Sequence, residues 1–353
     1  MRKLLLGLLL CMLVLLAACS DEEEPDAQDS ESKEQAVEEK EQAAESTEDL
    51  NTFPLTGMPA DGTAHNRVVG VMVNNHPKAR PQTGLSKADI VFEILAEGSI
   101  TRFLAMYQSE RPDVVGPVRS AREYYFEMAN NYDALYIYHG AANFVNDMIQ
   151  NRGIEHLDGA VYDNDGHLFK RESFRFAPHN SYLQFEGVYD TAEQTGYDVT
   201  QSYEPLPFTT EDEAADISGD NATSVVIDYS EAMKNVVTYV YHEDNATYTR
   251  YSNGEQTVER NSEVPITTDN IFIVETPHQV IDDAGRREID ITSGGDAYLI
   301  QKGKIREVKW ENRDGRIIPV EDGQPVKLVP GKTWVNIVPA NPGMSQLVKV
   351  SDE

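Results

Sequence analysis

Apolar and polar positions follow two rhythms along this 353-residue chain, and the change falls near residue 205. In the first half, residues 68–73 form an unbroken apolar run, the pattern of a strand buried on both faces. Residues 90–96 alternate, with Ile90, Phe92, Ile94 and Ala96 on one face and Val91, Glu93 and Leu95 on the other. Gly98 and Ser99 turn the chain into 103–107, which predicts an antiparallel hairpin. Ser120-Ala121-Arg122-Glu123 has the spacing of a capping box and predicts a helix running to about Asn131. Residues 135–138 read as a strand, and 143–151 as a helix stopped by Gly153. Ser181 with Gln184 forms a second capping box, predicting a helix closed by Gly196. Strand and helix signals therefore mix through 51–204.

The second rhythm is a run of short strands at 225–227, 236–241, 248–251, 271–275, 297–301, 305–310, 326–329 and 335–338. Asn253-Gly254, Asp314-Gly315, Asp322-Gly323 and Pro330-Gly331 mark turns. Such spacing predicts an all-β sandwich or barrel over 223–350. Between the halves, Pro205, Pro207, several acidic residues and Gly219 break both periodicities, which makes 205–222 a linker. The expected fold class is α+β, a mixed α/β domain followed by an all-β one.

A third pattern opens the chain. Arg2 and Lys3 precede thirteen apolar residues, 4–16, then Ala17, Ala18 and Cys19. Thirteen residues are too few for a membrane-spanning helix, which needs roughly 20. The small residues before cysteine give the layout of a lipoprotein signal, 1–18, cleaved ahead of Cys19. Acyl chains such as palmitate on Cys19 would anchor the protein in the bilayer on the extracytoplasmic face of the cell membrane. Cys11 would leave with the signal, so no disulfide framework is expected. Residues 19–50 hold fourteen Asp or Glu against Lys33 and Lys40 and no aromatic side chain. That composition predicts a disordered acidic tether.

The whole chain carries a formal net charge of −30. General nucleic-acid binding needs a basic footprint, so no nucleic-acid partner is expected.

Candidate chemistry gathers in a few places. If Ser120 caps a helix, Arg119 and Arg122 crowd its positive end and something negative must compensate. A bound carboxylate or phosphate would do so, gripped by Ser120, Arg119 and Arg122. An internal ion pair with Glu93, Glu97 or Glu123 would serve equally. Glu93 and Glu97, with His179, are the candidates for acid–base catalysis. Four positions apart in one strand, the two carboxylates stand about 13 Å apart by rise, beyond the ~5–9.5 Å that glycosidase pairs use. His139 ends a predicted strand, where α/β domains often place functional groups, and His179 and Asn180 sit in a loop. No Gly-x-Ser-x-Gly elbow occurs and no cysteine nucleophile would remain. The histidines lack metal-ligand spacing, and Asp163-Asn164-Asp165-Gly166 reads as a turn rather than a calcium loop. No metal or cofactor is expected. Tyr124, Tyr125, Phe126, Tyr132, Tyr136 and Tyr138 cluster near the Arg pair, either lining a groove or packing at a core edge.

Several stretches carry a family likeness: Pro54-Leu55-Thr56-Gly57, residues 79–91 (Ala79-Arg80-Pro81-Gln82-Thr83-Gly84 onward), Gly116-Pro117-Val118-Arg119-Ser120-Ala121-Arg122, and Ala177-Pro178-His179-Asn180. With Tyr248-Thr249-Arg250-Tyr251 and Gly331-Lys332-Thr333-Trp334, they resemble the YerB family of Gram-positive lipoproteins. The resemblance covers nearly the whole mature chain. It implies an exported, lipid-anchored, two-domain protein with no established reaction. One departure is Gln256-Thr257-Val258, where the family pattern has His-x-Asp. The expected function is a binding or accessory protein of the cell envelope, holding an anionic ligand, a wall component or a protein partner. A hydrolase of wall material and a solute-binding lipoprotein are the alternatives.

Overall fold

Strand alternation with both faces covered accounts for most of the structure. The computed structural model describes residues 52–60, 62–230 and 235–352. The signal, Cys19 and the acidic tether lie outside the described residues.

The first half contributes β1 (Val69–Asn74), β2 (Ile90–Glu97), β3 (Ile100–Tyr107), β4 (Val114–Val115), β5 (Leu135–Tyr138), β6 (His156–Asp158), β7 (Phe169–Arg171) and β8 (Ser181–Gln184). Helices Glu123–Asn131, Asn143–Asn151 and Gly187–Thr195 lie among them. The second half supplies β9 (Asp220–Asn221), β10 (Ser224–Ser230), β11 (Asn235–His242), β12 (Thr247–Ser252), β13 (Glu255–Gln256), β14 (Thr267–Thr268), β15 (Asn270–Thr276), β16 (His278–Val280) and β17 (Arg287–Ile289). It continues with β18 (Gly295–Gln301), β19 (Lys304–Arg313), β20 (Arg316–Glu321), β21 (Gln324–Pro325), β22 (Thr333–Pro339) and β23 (Val348–Ser351).

Among the described residues, one twelve-stranded sheet runs β21-β20-β19-β18-β15-β22-β2-β3-β1-β5-β6, with β9 beside β19. The two sequence halves meet inside it. β22 lies between β15 and β2 and is parallel to both, with Asn336 opposite Glu93. A second sheet, β13-β12-β11-β10-β23 with β14 on β12, comes wholly from the C-terminal half. A small sheet, β4-β8-β7, belongs to the N-terminal half.

Alternation sorts side chains into two cores. Met72, Phe92, Leu104, Phe272 and Val335 face one, with Tyr125, Phe126 and Ala129 of helix Glu123–Asn131. Val71, Val91, Phe103, Ile271 and Trp334 face the other, with Val225, Ile227 and Tyr239 from the second sheet. The long sheet is thus the middle layer of three. At Gly70 a Cβ would lie 3.2 Å from Met106 Sδ and 3.5 Å from Ala129 Cβ, so its absence lets the helix lie close.

Two expected helix starts are corrected. Helix Glu123–Asn131 begins after Arg122 at the N-cap, with no side-chain cap, so Ser120 is not a capping residue. Residues 116–121 are instead drawn into backbone bonds with neighbouring strands, such as Arg119 N to Met72 O at 2.8 Å and Ala121 N to Gly140 O at 3.2 Å. Ser181–Gln184 is strand β8, paired with β4 and β7, and the helix starts at Gly187. Residues 326–329 make only an isolated bridge, Leu328 to Phe208.

Candidate functional site

Parallel strands β1, β5 and β6 end on the same side of the sheet, where open α/β sheets commonly carry ligand-binding residues. Asn74 closes β1, His139 follows β5, and Asp158 closes β6. Asp158 Oδ1 accepts from Gly140 N at 2.7 Å and Ala160 N at 2.8 Å, which fixes both turns. Residues 116–121 thread across these ends. Asn74 N donates to Pro117 O (2.9 Å), Val118 N to Ser181 O (2.7 Å) and His139 N to Arg119 O (3.0 Å). Backbone bonds on both sides therefore hold Arg119 at the rim of the sheet.

The Arg119 side chain is half-buried and forms no ion pair among the described residues. Burial, and then the charge of Arg102, lowers its pKa. Beside it the His76 and His179 rings stack at 4.8 Å, with 28° between their planes. Asn74 Nδ2 donates to His179 Nδ1 at 2.9 Å, and Lys78 N donates to His76 Nδ1 at 3.1 Å. Both neutral rings thus accept at Nδ1 and keep their proton on Nε2. Burial, then Lys78, Arg119 and Arg80, holds the His76 imidazole below its ordinary range. Burial, then His76, Arg119, Lys78 and Arg175, does the same to His179. Burial, with the neighbouring positive charges adding to it, favours the neutral form of both rings, and an arriving anion would oppose that.

His139 belongs to a neighbouring network. Arg171 donates through Nη2 to His139 Nε2 at 3.2 Å, so Nδ1 bears the ring proton and donates to Ser181 Oγ at 2.7 Å. Burial, then Arg171, lowers its pKa. Asp163 holds Arg171 at 2.7 and 3.0 Å, and Asn180 Oδ1 accepts from Arg171 Nη1 at 3.0 Å. A base must accept the serine proton to make a nucleophile, and here the proton points the other way. His139, Asn180 and Ser181 brace the wall beside Arg119 and His179.

Other sequence candidates go elsewhere. Arg122 is buried against Glu97, which also receives Arg102 Nη2 at 2.7 and 3.0 Å. The internal pair, not a guest, neutralises Arg122. Ser120 contributes its carbonyl to Arg102 Nη1 at 2.7 Å. Glu93 is 0% exposed and receives Arg250 Nη2 at 2.8 and 3.1 Å, Trp334 Nε1 at 3.2 Å, Thr101 Oγ1 at 2.9 Å and Asn75 Nδ2 at 3.2 Å. The Arg250 guanidinium lies 4.8 Å from the Trp334 ring and 5.3 Å from Phe103. The Arg250 and Trp334 motifs are therefore a clasp between the halves. With both carboxylates paired and Glu93 sealed, neither is placed for acid–base work with His179.

The aromatic cluster is core. Tyr124, Tyr125, Phe126, Tyr132, Tyr136 and Tyr138 are all buried, and the Tyr125 hydroxyl lies 2.7 Å from Arg102 O and 2.9 Å from Ile94 O, its one proton shared between the two carbonyls. Asp165 Oδ1 accepts from the N–H groups of His167, Leu168 and Phe169, which makes 163–166 a turn. Among the described residues no three His, Cys, Asp or Glu side chains are grouped to hold a metal ion. Sequence reasoning did not reach Asn74, His76 and Arg80. The signal was present, since His76 follows an apolar strand just as His139 does.

Fold and site together define an α+β protein whose two domains share a sheet and whose strand ends carry a cationic, imidazole-lined surface. The sequence matches the N-terminal domain of a protein of unknown function (DUF3048) over residues 55–198 and the C-terminal domain of the same family over 225–335. A relative in Bacillus subtilis (strain 168), named "Putative lipoprotein YerB", is 46% identical over 288 residues, 81% of this chain and 86% of that one. The crystal structure of the YerB protein from Bacillus subtilis superposes with a TM-score of 0.78 at 43% identity, covering 85% of this chain and 99% of that one. The chain belongs to the DUF3048 family.

Proposed function

We propose that this protein is an envelope lipoprotein, anchored through acylated Cys19, whose folded part binds an anionic ligand at Arg119, His76 and His179. One observation carries the reading. In a chain with 60 acidic residues against 30 basic ones, Arg119 has no acidic partner among the described residues, although Arg102 and Arg122 beside it do. Leaving a half-buried guanidinium unpaired is costly unless a ligand supplies the charge. The neutral histidines add a proton-linked component, because an anion raises their pKa values and recruits protons. The lipoprotein part rests on the signal pattern ending at Cys19 and on the name of the Bacillus subtilis relative.

The test is a titration of the mature chain with orthophosphate and with citrate, following histidine ring signals by NMR. Binding strengthens as the pH falls from 7.5 toward 5.5, and Arg119→Gln weakens it roughly tenfold or more, the worth of a charged hydrogen bond. If neither anion moves the His76 and His179 signals, the reading fails. The anchor is tested separately: Cys19→Ala moves the protein from membrane to medium in a Gram-positive host, and unchanged membrane retention would refute it.

A further inference from the structure

Arg119 is not the only cation here outside an ion pair. Lys78, Arg80, Arg175 and Arg260 also form no ion pair among the described residues, whereas Arg67, Arg152, Arg171 and Arg250 all do. These unpaired cations are neighbours. Arg175 Nη2 donates to Pro81 O at 2.6 Å and its Nη1 to Tyr182 Oη at 2.7 Å. Arg260 N donates to Gln82 O at 2.8 Å, and its guanidinium lies 3.7 Å over the Phe174 ring. The backbone of residues 80–82 therefore joins Arg80, Arg175 and Arg260, and the His76–His179 stack joins them to Arg119. Their mutual repulsion is felt: the charge of Arg260 lowers Arg175, after burial, and Arg175 in turn acts on His179.

Two features extend the surface beyond charge. Phe176 is 90% exposed and Phe174 46%, on the same loop as His179. On the other side of residues 77–82 a cleft of about 530 Å³ opens, lined by Pro77, Arg80, Pro81, Gln82, Ser252 and Thr257 among others. Glu255 also lines this cleft; its charge, after that of Glu93, offsets part of the lowering that burial and Arg250 impose on Arg80, although no ion pair joins the two.

We propose that the anion is a polymer, a linear chain with a negative charge on each repeat, laid from Arg260 past Arg175 and the stacked histidines to Arg80. This rests on the anion-binding reading above and goes beyond it. A single phosphate or carboxylate can satisfy one or two guanidinium groups, not five cations spread over four loops. A polyanion neutralises each in turn and releases its own counterions, so affinity grows with length and falls steeply with salt. The acidic remainder of the molecule repels such a chain at long range, which confines attraction to this patch. The exposed phenyl rings suit the apolar faces of a sugar or polyol backbone between charges.

The experiment uses the mature chain carrying Cys19→Ser to keep it in solution. It compares orthophosphate, long-chain polyphosphate and polygalacturonate at several salt concentrations; the two polymers separate phosphate from carboxylate repeats. Expected is polymer binding that tightens with length. Arg260→Gln should weaken it about fivefold and lower the log K against log salt slope by nearly one, while orthophosphate binding is unchanged. Should Arg260→Gln prove unstable, Phe176→Ser at the outermost ring tests the same surface. If orthophosphate binds but neither polymer binds more tightly, the polymer proposal falls and the anion site stands. If no anion binds, both fall. Preference for phosphatidylglycerol vesicles over both polymers also overturns it, in favour of a membrane-facing patch.

Discussion

At the scale of single residues, the central ionic groups divide by whether the fold has already neutralised them. Glu93 and Arg250 are 0% and 1% exposed and paired with each other, with further bonds from Trp334 and Thr101 to Glu93 and from Arg250 to Thr257, while Arg250 Nε is left without a partner among the described residues. Such a pair contributes little net stability against an apolar replacement, but breaking it strands a charge in the core. Arg250→Met is therefore expected to destabilise the protein by roughly 3–5 kcal/mol, and Glu93→Gln by a comparable amount. Urea denaturation measures both. A loss below about 1 kcal/mol would mean that solvent reaches the clasp. Arg119, by contrast, can lose its charge with little effect on melting, because nothing in the fold depends on it. The sequence pointed to Arg119 and Arg122 alike, and to Glu93 and Glu97 alike. Only the break in the β2–β3 register between Leu95 and Glu97 turns Glu97 toward Arg102 and Arg122 while Glu93 faces Arg250.

At the scale of elements, the open end of the β2–β3 hairpin is closed by Asp89. Its Oδ2 accepts from Gln108 N at 2.6 Å and Ser109 N at 2.9 Å, and its Oδ1 from the Ser109 hydroxyl. Burial nevertheless pushes its pKa from 3.8 up to about 6, with the Ser109, Gln108 and Lys332 interactions opposing. A raised folded pKa means that the native state holds this proton more tightly than the unfolded chain. The resulting stability is fully present below pH 3.8 and is lost as the pH rises through 6. An amide in place of this carboxyl would not titrate. The stability difference between wild type and Asp89→Asn is thus expected to shift in favour of wild type by roughly 2–3 kcal/mol between pH 7 and pH 4. A difference independent of pH would show that Asp89 stays ionised throughout. Most strands of this kind were legible because two-sided burial leaves an unbroken or alternating apolar run, as at 68–73 and 90–96. The misread elements share a different cause. Ser120 and Ser181 sit in good capping-box spacing, yet their segments give their backbone groups to β1, β5 and β4, and no local pattern encodes those partners. His139 and His179 were picked out by position, and His76, two residues beyond the end of β1, carried the same signal without being picked out.

At the scale of the molecule, the family match falls into two blocks, 55–198 and 225–335, but the core does not divide with them. β2 has β3 on one side and β22 on the other, and Trp334 of β22 packs edge-on to Phe103 of β3 at 5.3 Å. Val91 and Phe103 from the first half share a core with Val225, Tyr239 and Trp334 from the second. An unbroken apolar run announces that a strand is buried on both faces, but it cannot name a neighbour more than two hundred positions away. Removing the second half would leave β2 as a bare sheet edge, uncover one face of the middle layer, and leave Glu93 without Arg250. Residues 51–204 expressed alone are therefore expected to lack a cooperative thermal transition and to self-associate, although every element of the strand-end site lies within them. Mixing them with a separately produced 223–350 fragment should restore a single transition, since the missing partner strand, the covering sheet and the counter-charge then arrive together. Circular dichroism melts of the two fragments, apart and combined, decide the matter. A sharp transition for 51–204 alone, within a few degrees of the intact chain, would show that the first half holds its own core and that the shared sheet is only a docking contact.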